Sequence, residues 1–478
     1  MNQLPKQQNY IDGQWQAPQL DLQRALHNAN TGEQIGAQFS SSAAQIDAAI
    51  QSAYNAFESG RWSQLSYDER AAYLEKIASN LGQHGQSIEM CDALQTGVLQ
   101  SLTKQFASVC AMAFTNAANL LRALPAETEY EGAKQNAIVL ERLPLGVAAI
   151  IAPWNAPSGI ACHKIASALA AGCPVLFKPS EWAAGSAQAI AQAIVDADLP
   201  HGTFQLLHGD GKVGAALCSD DRVAAVSFTG GALGGEAVGG VCGANIKPAQ
   251  LELGGNNALV VLASADLDAA ADGIITGMTT LNGQWCRALG RLIVHSSVAD
   301  GLLAKVASRL ETLVIGESTS ASSQMGPLVH QGHWQHVQQR IAEYVELGAE
   351  LIRPSTVPAH LTGWFMAPTL ITGLSGEACR EEIFGPVATV HTFETAEQAT
   401  QLANQTDYGL AAYVFGAEAD AWPVARKLRA GVIKINGVSL FALRGDLPRA
   451  AWGKSGLGDE GTRETFEFFR GTRVIGIA

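Results

Sequence analysis

The chain has 478 residues, more than one simple core holds, so two or three domains are expected. Hydrophobic residues make up 47% and charged residues 16%, with 49 glycines, which excludes a disordered chain and fits a well-buried α/β protein. The formal net charge of −13 argues against a nucleic-acid groove or an anionic membrane partner.

The first 40 residues read as short strands and turns, with a hairpin at 10–15 turning on Asp12-Gly13. From 42 to 123 the spacing of Ala49, Ala53 and Phe57, then of Leu74, Ile77 and Leu81, predicts helices. Residues 127–142 are polar, then strand-like. The uncharged run 143–161 is long enough to raise a membrane span. Pro144, Pro153 and Pro157 with Asn155 favour a buried strand and loop instead. Strands are then predicted at 146–151, 174–178, 203–207 and 223–228, alternating with helices such as 157–171 and 183–197. That alternation implies a parallel, doubly wound sheet, with ligands beyond the carboxyl ends of its strands. The polarity pattern resets near Gly254-Gly255. A strand at 257–262, a helix at 267–280 and a strand at 289–295 open a second α/β unit that runs on to 411–415.

Eight cysteines are scattered without a Cys-x-x-Cys pair, which argues against a disulfide framework and a cysteine-based zinc site. They fit a reducing cytosol, so a cytoplasmic location is expected. No apolar segment marks the first residues as a signal peptide. His330, His333 and His336 are spaced three apart, but on a helix the outer two diverge by about 120°. With no carboxylate or cysteine beside them, a solvated helix face is expected and no metal.

Several stretches carry chemistry. Asn155 lies in Ala-Pro-Trp-Asn-Ala-Pro, where two prolines fix the backbone around a neutral amide able to donate to an oxyanion. Alone, it would more often be a turn residue. Lys178-Pro-Ser-Glu181 ends a strand, and without other motifs it is equally a capped surface turn. Gly209-Asp-Gly211-Lys-Val-Gly214 has the form of a dinucleotide fingerprint, yet no acidic residue stands at the usual spacing on a following strand. Glu252, in Leu-Glu-Leu-Gly-Gly-Asn, is a carboxylate among apolar residues, so desolvation should raise its pKa toward the range of a general base. Cys286, in Gly-Gln-Trp-Cys, is a candidate nucleophile. Each alone is more often a solvated charge or an inert small hydrophobe.

Together, the Glu252 and Cys286 motifs resemble the two signatures of the NAD(P)-dependent aldehyde dehydrogenases of hydrolytic type, and the resemblance extends over nearly the whole chain. It implies a Rossmann-type cofactor domain (1–124 and 145–253), an α/β catalytic domain (254–458) and a small β oligomerisation arm (125–144 and 459–478). A homodimer or homotetramer follows from the arm. It implies Cys286 as nucleophile, Glu252 as base, Asn155 in the oxyanion site and Glu460 in proton relay. NAD is the implied cofactor, with NADP also admitted. It would lie against Phe228, Thr229, Gly230 and Gly231 and the helix spaced from Gly230 to Gly235, with Gly211, Leu253 and Gly254 nearby. Lys178, Ser180 and Glu181 would hold the ribose, Glu181 repelling a 2′-phosphate. Glu382 would bind the nicotinamide ribose, with Phe384 and Trp154 near the ring. The chain departs from the family pattern at Gly231-Ala232, where a hydroxyl residue is common, and at Ala450-Ala-Trp-Gly-Lys-Ser-Gly456, where alanines replace a glycine pair.

The resemblance implies an aldehyde substrate and leaves its class open between apolar or aromatic and carboxylate-bearing. Trp285 and Phe441 suit an apolar or aromatic tunnel, whereas Arg444 suits a substrate carboxylate. Three other functions compete: acyl transfer to coenzyme A, which needs no base at Glu252; a cofactor-free thiol hydrolase, which needs a histidine partner; and a structural protein on the same fold, which usually loses its nucleophile.

Overall fold

The computed structural model describes residues 4–125, 127–132, 136–441 and 443–477. Ala478, the expected end of the last strand, and residues 133–135 of the expected arm lie outside them.

Two sheets carry the molecule. The first runs, edge to edge, Gln14–Gln16, Asn9–Ile11, Phe204–Leu206, Val175–Lys178, Val147–Ile151, Val223–Thr229, Ala249–Glu252 and Gly456–Leu457. Its five central strands are parallel, and the edge strands pair antiparallel. Val147–Ile151 is buried at every residue, as a strand covered by helices on both faces must be. Pro157 opens the helix Pro157–Ala171 and the left-handed Gly172 ends it. The chain moves from Val147–Ile151 outward through the next two strands, then returns to lay Val223–Thr229 on its other side. Strand order therefore reverses between Ile151 and Thr229.

The second sheet runs Glu350–Ile352, Thr369–Thr372, Val387–Phe393, Leu289–His295, Asn257–Val261, Ala411–Phe415 and Val432–Ile435, parallel except at its first pair. The buried Arg291 ties it together. Its Nε donates to Asn256 O (3.0 Å), and Nη1 and Nη2 to Leu402 O and Ala403 O (2.7 Å each), closing the carboxyl end of the helix Ala396–Ala403. Burial pulls this guanidinium down to about 10, so it stays charged at neutral pH.

A three-stranded sheet stands apart, with Ala137–Pro144 between Glu127–Glu131 and Arg470–Gly476. Val474 and Ile475 are exposed on it. The hairpin on Asp12-Gly13 is present, Tyr10 opposite Trp15. Among the described residues no helix is long and apolar enough to cross a membrane.

Candidate active site

Residues at the carboxyl ends of the first sheet and ahead of the amino ends of the second meet around one cleft of about 880 Å³. The reversal of strand order in the first sheet opens that cleft, as such switch points do in parallel sheets. From the second sheet the contributions come before the strands rather than after them: Cys286 precedes Leu289–His295, and Glu382 precedes Val387–Phe393.

The loop ahead of Cys286 is bent by three consecutive left-handed residues, Leu281 (φ 50°), Asn282 (φ 58°) and Gly283 (φ 75°). Asn282 secures the bend. Its Nδ2 donates to Gly97 O and Pro327 O (2.8 Å each), and its Oδ1 accepts from Gly326 N (2.7 Å). Glycine is required at 283, since a Cβ would collide with the Gly385–Pro386 peptide. Asn257 Nδ2 then donates to Cys286 O (2.9 Å) and Ala288 O (2.8 Å). Of the eight free cysteines, Cys286 alone is not fully buried. Burial pushes its thiol up to about 12, Arg287 opposing and Glu252 adding to the rise. Asn155 is buried, and its Nδ2 donates one hydrogen to Gln284 O (2.9 Å), which leaves the second amide hydrogen available. Trp285 packs with Val98, Phe106, Leu281 and Ala288, with Leu102 and Leu440 against them.

Glu252 ends the strand Ala249–Glu252 with its carboxylate buried. Burial, then repulsion from Glu460, raises it to about 7, with Arg287 pulling the other way. Arg287 Nη2 lies 3.5 Å from Glu252 Oε1. Burial pushes Glu460 up as well, but two cations outweigh it and hold this carboxyl well below the usual range: Lys164 at 3.1 Å and Arg449 at 3.4 Å. Lys164, fully buried, also donates to Ser227 Oγ at 2.8 Å. Two buried carboxylates thus lie near each other with opposite leanings, which is the electrostatic pattern of an acid–base site.

The cleft wall has features that fit a dinucleotide. The helix Ala232–Ala244 starts at Gly231 with no side-chain cap, so its first N–H groups are open. Thr229 Oγ1 is buried without a partner. Gly211 and Gly231 leave open space where a Cβ would stand. A Cβ at Gly235 would strike the Leu253 side chain, and one at Gly254 the Glu382 carboxylate, so both glycines serve close packing. Lys178 Nζ lies 3.4 Å from Glu181 Oε2, and Ser180 Oγ accepts from Trp182 N at 3.3 Å. Glu382 Oε1 accepts from Gly255 N (2.9 Å), and burial raises its carboxyl to about 7. Phe384 has φ 59°, a left-handed backbone unusual for a bulky residue, and its ring meets Trp154 edge-on with centroids 5.4 Å apart.

The histidines are not the solvated face that their spacing suggested. Only His336 is exposed. His330 caps the helix Gln331–Glu346 and stacks on Trp182 at 3.8 Å, and His333 Nε2 bonds Phe384 O at 2.8 Å. Burial lowers His330 to about 3 and His333 to about 4, so both are neutral. Their aromatic neighbours lie far away in sequence, which helical periodicity does not reveal. Arg444, expected to suit a substrate carboxylate, is 71% exposed and paired with Asp446 at 2.6 Å. Lys164, Asn257, Asn282, Arg287 and Arg449 were not singled out from the sequence. Asn257, directly after the Glu252 motif, is the one whose position offered a signal.

The aldehyde dehydrogenase family profile matches residues 15–475. Aminoaldehyde dehydrogenase 1 (peroxisomal) of Pisum sativum is 33% identical over 479 residues, covering 96% of this chain and 93% of its own. Geranial dehydrogenase of Castellaniella defragrans is 31% identical over 441 residues, covering 91% of each. The crystal structure of betaine aldehyde dehydrogenase from Staphylococcus aureus in complex with NAD+ superposes with a TM-score of 0.93 at 29% identity, over 99% of this chain and 94% of the other. The protein therefore belongs to the aldehyde dehydrogenase family and is an oxidoreductase acting on aldehydes.

Proposed function

We propose that the protein oxidises an aldehyde to a carboxylic acid through covalent chemistry at Cys286, with NAD as its cofactor. The observation that carries this reading is the buried Glu252 carboxylate, raised to about 7 beside a nucleophile loop held rigid at Cys286. NAD, when bound, supplies the hydride acceptor. Thr229, Gly230, Gly231 and the open helix start suit the pyrophosphate, with Gly211, Gly235, Leu253 and Gly254 shaping the wall. Lys178, Ser180 and Glu181 suit one ribose and Glu382 the other, with Trp154 and Phe384 beside the nicotinamide. The chain's own residues do the rest. The Cys286 thiolate attacks the carbonyl carbon, and the second Asn155 N–H and the Cys286 backbone N–H hold the resulting oxyanion. Loss of hydride from that carbon leaves a thioester. Glu252 takes a proton from water as it attacks the thioester, which frees the acid and restores Cys286. Glu460, held ionised by Lys164 and Arg449, is too weak a base to take that proton on, and it supports Glu252 instead by raising it through repulsion. Transfer to coenzyme A would leave Glu252 without a task.

The domain division expected from the sequence remains our assignment, supported by the chain leaving the first sheet at Glu252 and entering the second at Asn257. Gly456–Leu457, assigned to the catalytic part, nevertheless adds a strand to the first sheet. Exposed Val474 and Ile475 on the small sheet support an arm that pairs subunits into a homodimer or homotetramer. Eight free cysteines support a cytoplasmic location.

The wall of Phe106, Trp285, Leu102 and Leu440 beside Cys286 supports an apolar aldehyde. Values of kcat/KM for benzaldehyde and medium-chain alkanals should exceed that for betaine aldehyde by about tenfold or more, the scale of a modest gain in buried apolar area. A preference for the cationic aldehyde would refute the assignment.

Cofactor choice rests on Glu181. The unmodified enzyme should favour NAD over NADP in kcat/KM, and Glu181→Gln should narrow the gap by removing repulsion of the 2′-phosphate. Equal use of both cofactors by the unmodified enzyme would show that Glu181 does not discriminate.

The roles of Glu252 and Cys286 separate kinetically. Glu252→Gln should give a burst of about one NADH per site, slower in onset because Glu252 also takes the Cys286 proton but full in amplitude, then turnover slowed by about 10²–10⁴. Cys286→Ala should give no burst. In the unmodified enzyme steady-state turnover should fall as pH drops through about 7, because protonated Glu252 cannot accept a proton from water. Rapid-mixing absorbance reads all three. A Glu252→Gln enzyme that binds NAD but shows neither burst nor acyl adduct would remove Glu252 from deacylation.

A further inference from the structure

We infer that Arg287 is the positioning residue of the nucleophile–base pair: its guanidinium is a shared counter-ion, beside the negative charge whether that charge sits on Glu252 or on Cys286. The inference rests on the reading of Cys286 as nucleophile and Glu252 as base.

The geometry is specific. Arg287 follows Cys286 directly in the chain, and its Nη2 is 3.5 Å from Glu252 Oε1, with side chains 13% and 8% exposed. Its backbone is fixed, because the Tyr413 hydroxyl donates to Arg287 O at 2.8 Å. Its Nε has no hydrogen-bond partner, so donor capacity remains beyond the contact with Glu252.

The surrounding charges leave this task to Arg287. Lys164 and Arg449 also face Glu252, but both are bound to Glu460. Lys434 faces Arg287 and gives its ammonium to Ser439 O (2.8 Å) and Phe441 O (2.6 Å). Cys286 is otherwise faced by Glu252, Glu382 and Glu460, all of which oppose a thiolate. Tyr413 completes the set around the guanidinium. Arg287 is thus the cation next to Cys286 that is also in contact with the base.

Activation then moves one proton and one charge. The S–H bond of Cys286 breaks, an O–H bond forms on Glu252, and the negative charge passes from carboxylate to sulfur with no change in oxidation state. Without a cation beside both groups, burial disfavours the charge at either end of that transfer. With Arg287 in contact with Glu252 and next to Cys286 in the chain, its charge lowers the cost at both ends. The same cation keeps Glu252 ionised when water must be activated later.

Two readouts on the full-length protein test this, one of them independent of turnover. The first is the rate at which iodoacetamide alkylates Cys286 across pH without aldehyde, the seven other cysteines being buried. The second is the pH profile of steady-state NADH formation. An opposite charge at this distance typically moves a pKa by one to three units. Arg287→Met should therefore slow alkylation at pH 8 about tenfold or more, and shift the acid limb of turnover upward by about one pH unit or more. Arg287→Lys, which keeps the charge, should restore most of both. Should Arg287→Met fail to fold, Arg287→Gln is read the same way. Superimposable profiles for the uncharged variant and the unmodified enzyme would overturn the proposal, as would Arg287→Lys matching the uncharged variant. Failure of the underlying reading looks different: NADH formation without a Glu252-dependent burst, while the alkylation profile still follows the charge at 287.

Discussion

Three left-handed residues in a row bend the chain ahead of Cys286, and the site is built around that bend. A left-handed backbone costs a non-glycine residue about 1–2 kcal/mol, and Leu281 and Asn282 both adopt it. The three hydrogen bonds of Asn282, at about 0.5–1.5 kcal/mol each, are of the same size as the strain and offset it. They also reach two separate places in the chain, Gly97 and the Gly326-Pro327 pair, so the bend is locked to its surroundings. Asn257 adds the connection to Glu252, since it opens the strand that follows the Glu252 motif and grips the carbonyl of Cys286. Cys286 and Glu252 therefore belong with different sheets yet share one rigid frame.

The electrostatics of the junction follow from its dryness. Burial alone would neutralise every carboxyl there, and it does raise Glu252 and Glu382 to about 7. Glu460 escapes because Lys164 and Arg449 flank it. The site thus holds one carboxylate that stays charged, Glu460, and two poised near neutrality; Glu460 has two cations in direct contact, whereas Glu252 has Arg287 alone at 3.5 Å. His330 and His333, neutral and packed against Trp182, Trp154 and Phe384, add an aromatic cluster beside the cleft without adding charge.

Much of this was legible in the sequence where the information is local. Alternating strands and helices implied the first sheet, and Glu252 and Cys286 stood out by their flanking residues. Information carried by contacts between distant segments was not legible. Lys164 sits in the middle of an alanine-rich helix and reads as an interruption until Glu460, near the other end of the chain, is folded onto it. Arg287 reads as a surface charge until the strand carrying Glu252 is laid beside it. Arg444 and the three histidines misled for the same reason. Side-chain chemistry alone suggested a substrate contact in one case and a solvent face in the other, and only the tertiary partners, Asp446, Trp182 and Phe384, decide.

The most direct examination of this geometry is a crystal structure of Glu252→Gln soaked with NAD and an aldehyde. Electron density should run unbroken from Cys286 Sγ to the acyl carbon, with the acyl oxygen between the Asn155 amide and the Cys286 backbone N–H, and the bend at Leu281, Asn282 and Gly283 unchanged. An adduct on another cysteine, or an acyl oxygen turned away from Asn155, would contradict the placement of nucleophile and oxyanion site described above.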